Sequence, residues 1–160
     1  ARRRISRRAP AGTVPSLMGA DDSGPSIAAI GYIAGNPTME LVRDPAAHPH
    51  LVASYAAGEV RLGAGVFRRS LIVAREALVT DWNPPPPGAL AIADFAAALA
   101  LAPDVVILGT GARQQLPPPT LYAALGGRGV GIEVMDNGAA CRTYNVLFGE
   151  YRAVVLALIL

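Results

Sequence analysis

The chain has 160 residues, 52% hydrophobic and 16% charged, which predicts one globular domain rather than a disordered chain. All 14 basic residues are arginine and five lie in the first eight positions, so residues 39–160 carry nine arginines against ten acidic residues. A near-neutral domain argues against nucleic acid as a partner. The longest apolar runs, such as the eight residues at 153–160, are far below the roughly 20 that span a membrane.

The first 38 residues differ in composition from the rest. They are rich in arginine, and glycine and proline are scattered through 10–37 without hydrophobic periodicity. This pattern predicts a flexible leader, native or artificial, followed by a single domain at 39–160. The absence of lysine indicates a GC-rich, bacterial source. The single cysteine, Cys141, fits a reducing compartment and therefore a cytoplasmic protein. The alternative is an organelle transit peptide and a mitochondrial location.

Residues 51–80 have a β pattern. The segments "EVRL" and "GVFRRSLIV" flank "GAG" at 63–65, which predicts a hairpin turn, and "LIV-AREA-LVTDW" predicts a second reversal. The prolines after Trp82 cannot continue a ladder because proline has no N–H. The block is therefore predicted to be an antiparallel meander that leads into a linker.

In the second half of the chain, apolar patterns typical of helices alternate with patterns typical of strands. A helix is predicted in "GALAIADFAAALALAP" (88–103), then a buried strand in "DVVILG", a helix in "PPPTLYAALGGRG" and a second buried strand in "VGIEVM". "AACRTYNVLFGE" is predicted to be helical, with Gly149 ending it, and "RAVVLALIL" to be a strand or a helix. This order is β-α-β-α-β, with parallel strands and right-handed crossovers.

Two glycine-containing loops follow the two buried strands, Gly109–Arg113 and Asp136–Gly138. If the strands are neighbours, the loops lie side by side at the carboxyl end of the sheet, where ligands collect in α/β proteins. "GTGARQQ" matches neither GxGxxG nor GxxxxGK[ST], which argues against a nucleotide site. A tight strand end and a small-anion site, to which Arg113 and Arg142 could add charge, both remain open.

The reactive side chains near these loops also have two interpretations. Cys141 is predicted near a helix start beside Arg142, which would lower the pKa of a thiol, but its alanine neighbours favour a small buried residue. Asp136 lies between a strand and a helix, which favours a helix cap over a general base. His48 and His50 lack a third ligand, so neither a metal nor a cofactor is predicted.

Several segments together resemble one known family. These are "SLIV", Trp82, "ILGTGARQQLPPP" and above all "GIEVMDNGAACRTYNVL". They look like the domain-of-unknown-function (Mth938-like) family that includes the mitochondrial complex I assembly factor 3 and the adipogenesis-associated domain protein. The resemblance extends over residues 39–160. It implies a three-layer α/β domain with a central mixed sheet whose last strand is antiparallel, so "RAVVLALIL" becomes a strand.

The same resemblance bears on function. The family has no established catalytic mechanism, and its mitochondrial members bind other proteins during respiratory complex assembly. This implies a non-enzymatic interaction or assembly factor with protein partners. The alternative is a small-anion or small-molecule binding protein, or an enzyme, that uses a shallow cleft between the two loops. The residues predicted to line this cleft are Gly109, Thr110, Gly111, Arg113, Asp136, Asn137, Cys141 and Arg142.

Overall fold

A computed structural model describes residues 48–160. The predicted leader at 1–38 and the predicted domain start at Met39 lie outside these residues. The described part begins with a three-stranded antiparallel sheet of β1 (Val52–Ala56), β2 (Glu59–Leu62) and β3 (Gly65–Phe67). Leu62 pairs with Gly65, which confirms the hairpin turn predicted at 63–65.

A second sheet has five strands, β4 (Leu71–Ala74), β5 (Ala77–Val79), β6 (Val105–Gly109), β7 (Gly131–Met135) and β8 (Val154–Leu158). Their order in space is β5-β4-β8-β6-β7. The predicted meander is therefore divided, because β4 and β5 join this sheet instead of continuing the first one.

The direction of the last strand needs a correction. β8 lies in the middle of the sheet, where it is parallel to β6 and antiparallel only to β4. The strand of this sheet that runs opposite to its other four strands is thus β4, whereas the resemblance implied that it is the last strand. The α/β class and the mixed central sheet are confirmed.

Apolar residues cover both faces of this sheet. One face packs on the small sheet and on helix α3 (Asn137–Gly149), with Val52, Ile107 and Tyr144 in that cluster. The other face packs on α1 (Ala96–Leu99) and α2 (Pro119–Gly126), with Trp82 and Phe95. Neighbouring residues of β6 thus enter opposite clusters, which explains its uninterrupted apolar sequence.

The long helix predicted at 88–103 is wrong. The segment forms 3₁₀ turns at Pro87–Ala89 and Ile92–Phe95, followed by the single α-helical turn of α1. The Asp94 carboxylate accepts a hydrogen bond from the Ala91 N–H at 2.8 Å, and the Asp94 carbonyl accepts one from Trp82 Nε1 at 2.8 Å. These bonds compete with a continuous helical ladder through residue 94.

The other two helices are confirmed. Pro119 is the first residue of α2, Gly127 caps it, and α3 extends through Gly149. Within residues 48–160, no helix combines the length and the apolar character that a membrane crossing requires.

Candidate functional site

Strands β6, β7 and β8 end together at one edge of the five-stranded sheet, called here the carboxyl edge. Gly109 pairs with Met135 on one side and with Leu158 on the other. This confirms that the two predicted strands are neighbours. The segments that follow them, from Thr110 and from Asp136, therefore lie at the same edge of the sheet.

The side chain of Asn137 joins three segments at this edge. Its Oδ1 accepts a hydrogen bond from the Gly111 N–H at 2.9 Å, and its Nδ2 donates one to the Ile159 carbonyl at 2.8 Å. Its own N–H donates to the Gly111 carbonyl at 2.9 Å. Asn137 is 1% exposed. The amide thus acts as a buried clamp between the two predicted loops and the end of β8.

The glycines of the first loop have distinct conformational roles. A Cβ on Gly109 would lie 2.4 Å from Asn137 Oδ1 and 2.6 Å from Leu158 Cδ2, closer than such atoms approach in proteins. Gly111 has a φ of +106°, a conformation that disfavours residues with a side chain. Packing therefore requires a glycine at position 109, and the backbone conformation favours one at position 111.

Thr110 holds the first loop in shape. Thr110 is buried. Its hydroxyl donates a hydrogen bond to the Arg113 carbonyl at 3.1 Å and accepts one from the Gln115 N–H at 2.9 Å. These bonds fold residues 110–115 into a compact turn. The Arg113 side chain is exposed outside this turn.

Asp136 caps helix α3, as predicted. Its Oδ1 accepts a hydrogen bond from the Ala139 N–H at 2.9 Å. The guanidinium of Arg142 lies near the same turn. A Cβ on Gly138 would be 3.2 Å from Asp136 Oδ1 and 3.5 Å from Arg142 Nη1, so both side chains approach Gly138. A carboxylate and a guanidinium thus share the first turn of the helix, and the Arg142 residue remains exposed.

Cys141 belongs to the core and not to a surface. It is 0% exposed, and burial raises the pKa of its thiol to about 12, outweighing the opposite effect of Arg142. A neutral, enclosed thiol is neither a nucleophile nor a group that a solute can touch. The prediction that Cys141 lines the cleft is therefore wrong.

The structure brings Gly109, Thr110, Gly111 and Asn137 into direct contact and leaves Arg113 and Arg142 on the surface. The backbone and amide bonds between Gly111 and Asn137 close the space at the base of the two loops. An opening between them would have to lie farther out, between the two exposed arginines.

Sequence reasoning missed a neighbouring pocket at the same edge. It has a volume of about 470 Å³, and it is lined by Arg68, Arg69, Ser70, Thr80, Asp81, Trp82, Asn83 and Leu160. Its residues reach this edge because β4 pairs with β8, and the Leu160 N–H donates to Ser70 Oγ at 3.1 Å. Only the pairing of strands far apart in sequence could have revealed it.

Metal-binding groups are not clustered in the described part. No set of three His, Cys, Asp or Glu side chains within residues 48–160 could hold an ion. The rings of His48 and His50 lie 5.7 Å apart, and the His48 ring packs against the ring of Phe148 at 4.8 Å.

Comparison with known families identifies the fold. The family model described as "Protein of unknown function (DUF498/DUF598)" matches residues 52–159, so the chain belongs to this family. A solution NMR structure of a Mth938-like domain from Bordetella pertussis is 32% identical, with a TM-score of 0.62, and the match covers 76% of this chain and 92% of that one. The family resemblance found in the sequence is thereby confirmed.

Named relatives match over a shorter segment. The "13 kDa major membrane protein" of Francisella tularensis is 38% identical over 56 residues, which are 35% of this chain and 46% of that protein. The Danio rerio NADH dehydrogenase [ubiquinone] 1 alpha subcomplex assembly factor 3 is 41% identical over 56 residues, 35% of this chain and 32% of that protein. This chain thus spans less than half the length of either relative.

Proposed function

We propose that this chain is a non-enzymatic accessory factor that binds another protein with the carboxyl edge of its sheet. The observation that carries the proposal is the similarity to proteins named as assembly factor 3 of the NADH dehydrogenase alpha subcomplex. An assembly factor works by contact with other chains, so its function needs an exposed surface rather than a reactive centre.

The chemistry of the edge supports this role. Three polar side chains of the edge form hydrogen bonds that hold the structure together. Asn137 joins the two loops, Thr110 holds the turn at 110–115, and Asp136 caps α3. Cys141 is enclosed, and its raised pKa keeps the thiol neutral.

The groups left at the surface of this edge suit protein contact. Arg113 and Arg142 are exposed, and Leu116, in the same loop as Arg113, is 67% exposed. Arginine is enriched at the centres of protein interfaces, and an exposed large apolar side chain gains free energy when a partner removes it from water. Because Asp136 offsets only one of the two arginines, the partner's contact surface should be acidic.

The proposal is tested by affinity purification from the native cell with quantitative mass spectrometry. Three baits are compared: the wild type, the double variant Arg113→Ala/Arg142→Ala, and the control variant Arg128→Ala. Arg128 is exposed at the opposite edge, where its Nη1 donates to the Ala124 carbonyl at 2.9 Å. We expect a defined protein to be recovered with wild type and with the control, and to fall at least about tenfold with the double variant.

Equal recovery with all three baits would contradict the assignment of the surface. The alternative, a small-anion site, is tested on the same purified proteins by titration with phosphate and simple carboxylates. Micromolar binding that Arg113→Ala abolishes would replace the protein-binding proposal.

A further inference from the structure

A second cavity lies at the amino edge of the sheet, the edge where β6 and β8 begin. Its volume is about 260 Å³, and it is an open cavity lined by the β4–β5 turn, the loop before β6 and the loop before β8. We infer that this cavity binds a small organic carboxylate with an apolar body, held between the guanidinium groups of Arg75 and Arg152. The inference is independent of the protein-binding surface, which lies at the other edge.

The size and walls of the cavity define the body of the ligand. A volume of about 260 Å³ is just below the roughly 300–1,000 Å³ of sites for drug-sized molecules, so a nucleotide is too large. Leu101, Pro103 and Val154 contribute apolar walls. A single ring or a short branched chain fits such a space.

Arg75 lines the cavity, and its guanidinium is held in place by neighbouring groups. Its guanidinium carbon lies 3.7 Å from the centre of the Phe148 ring and 4.5 Å from that of Tyr151. One N–H donates to the Phe148 carbonyl, and the guanidinium has no other acceptor within residues 48–160. A guanidinium has five N–H donors in a rigid fork, so the remaining ones can bind both oxygens of a carboxylate.

The backbone at the rim explains how Arg75 is held. Helix α3 is followed by Tyr151 at a φ of +58°, a position that usually carries glycine. Tyrosine adopts this conformation at a cost, and its ring gains the contact with Arg75. Ala102, between the lining residues Leu101 and Pro103, has a φ of +49°. Such strained residues concentrate at ligand-binding loops.

The charged residues that line the cavity determine the charge of the ligand that it would bind. The cavity is lined by Arg75, Arg152 and one carboxylate, Glu76, all without an ion-pair partner within residues 48–160. The lining therefore carries a net charge of +1. An anion with a single charge balances it, and an apolar body occupies the rest of the cavity.

The test is an NMR titration of the full chain at pH 7 with benzoate as the probe. Benzyl alcohol keeps the ring and removes the charge, whereas inorganic phosphate keeps the charge and removes the ring. We expect benzoate to shift the amides of Glu76, Arg152 and Val154 and to saturate with a Kd below about 1 mM, in the range of small-fragment binding. Benzyl alcohol and phosphate should bind at least threefold more weakly.

The variant Arg152→Ala should weaken benzoate binding at least threefold. Arg152 is exposed and its side chain bonds to nothing within residues 48–160, so the variant should fold normally. Arg128→Ala, at the same edge but outside the cavity, serves as the matched control. A smaller effect of Arg152→Ala, benzyl alcohol or phosphate binding within threefold of benzoate, or shifts located elsewhere would each overturn the inference.

Discussion

The side-chain amide of Asn137 fills the space in front of Gly109, so that a Cβ at position 109 would lie 2.4 Å from Asn137 Oδ1. The same oxygen accepts the Gly111 N–H, and the amide nitrogen donates to Ile159. The glycine at the end of β6 therefore permits close packing of a buried amide. A glycine-rich strand end can thus arise from packing alone, without a phosphate in the loop.

Replacing Gly109 with alanine should destabilise the domain by about 2–4 kcal/mol, because the new methyl group overpacks the site and displaces the Asn137 amide. Urea unfolding measures the effect. The matched control is Gly126→Ala, at an exposed helical position with nothing within 4 Å of the new Cβ, which should change stability by less than about 1 kcal/mol. Equal effects of the two substitutions would contradict this role of Gly109.

Replacing Asn137 with alanine should lower stability by about 2–4 kcal/mol, because it leaves the Gly111 N–H and the Ile159 carbonyl without their buried partner. The substitution should also accelerate amide hydrogen exchange more at Gly111 than at residues of the small sheet. Asn83→Ala, at an exposed position, is the control. Unchanged protection at Gly111 would argue against the clamp.

The buried thiol of Cys141 makes stability depend on alkaline pH. Burial raises its pKa from 9.0 to about 12 in the folded state, so the fold favours the neutral thiol. This contribution is complete below about pH 9 and decreases as the pH rises toward 12. Between pH 8 and 10.5 we expect the wild type to lose about 1–2 kcal/mol more than Cys141→Ala. Urea unfolding at both pH values checks this, and parallel losses in the two proteins would refute it.

The left-handed conformation of Ala102 predicts a stabilising substitution. Ala102 is exposed with a φ of +49°, so Ala102→Gly should relieve strain and raise stability by about 0.5–1 kcal/mol after the entropic cost of glycine. Ala100→Gly is the control, because Ala100 has right-handed helical angles and should lose about 0.5–1 kcal/mol. The measurement is the difference in melting temperature, and a decrease for both variants would contradict the prediction.

Local patterns predicted the features that depend on neighbouring residues. The apolar run at 105–109 indicated a strand buried on both faces, Pro119 and Gly127 marked α2, and Asp136 was identified as a helix cap. The side-by-side placement of the two loops was predicted on the condition that β6 and β7 are neighbours, and these strands do pair.

Long-range pairing accounts for what the sequence did not predict. Nothing near Leu71 indicates that it pairs with Leu158, so neither the division of the meander nor the central place of β8 was visible. The failed helix at 88–103 has a similar cause, because the indole of Trp82 binds a backbone carbonyl twelve residues away. The clamp of Asn137 likewise depends on three segments that only the fold brings together.

Site-specific photo-crosslinking in the native cell tests directly whether the carboxyl edge binds another protein. A photoreactive phenylalanine analogue is placed at Leu116, which is 67% exposed in the same loop as Arg113, or at exposed Arg128 on the opposite edge. Exposed positions tolerate such changes with little effect on stability. If the carboxyl edge binds a partner, position 116 should give a discrete crosslink to another protein and position 128 should give none. A crosslink from position 128 alone, or none from either position, would contradict it.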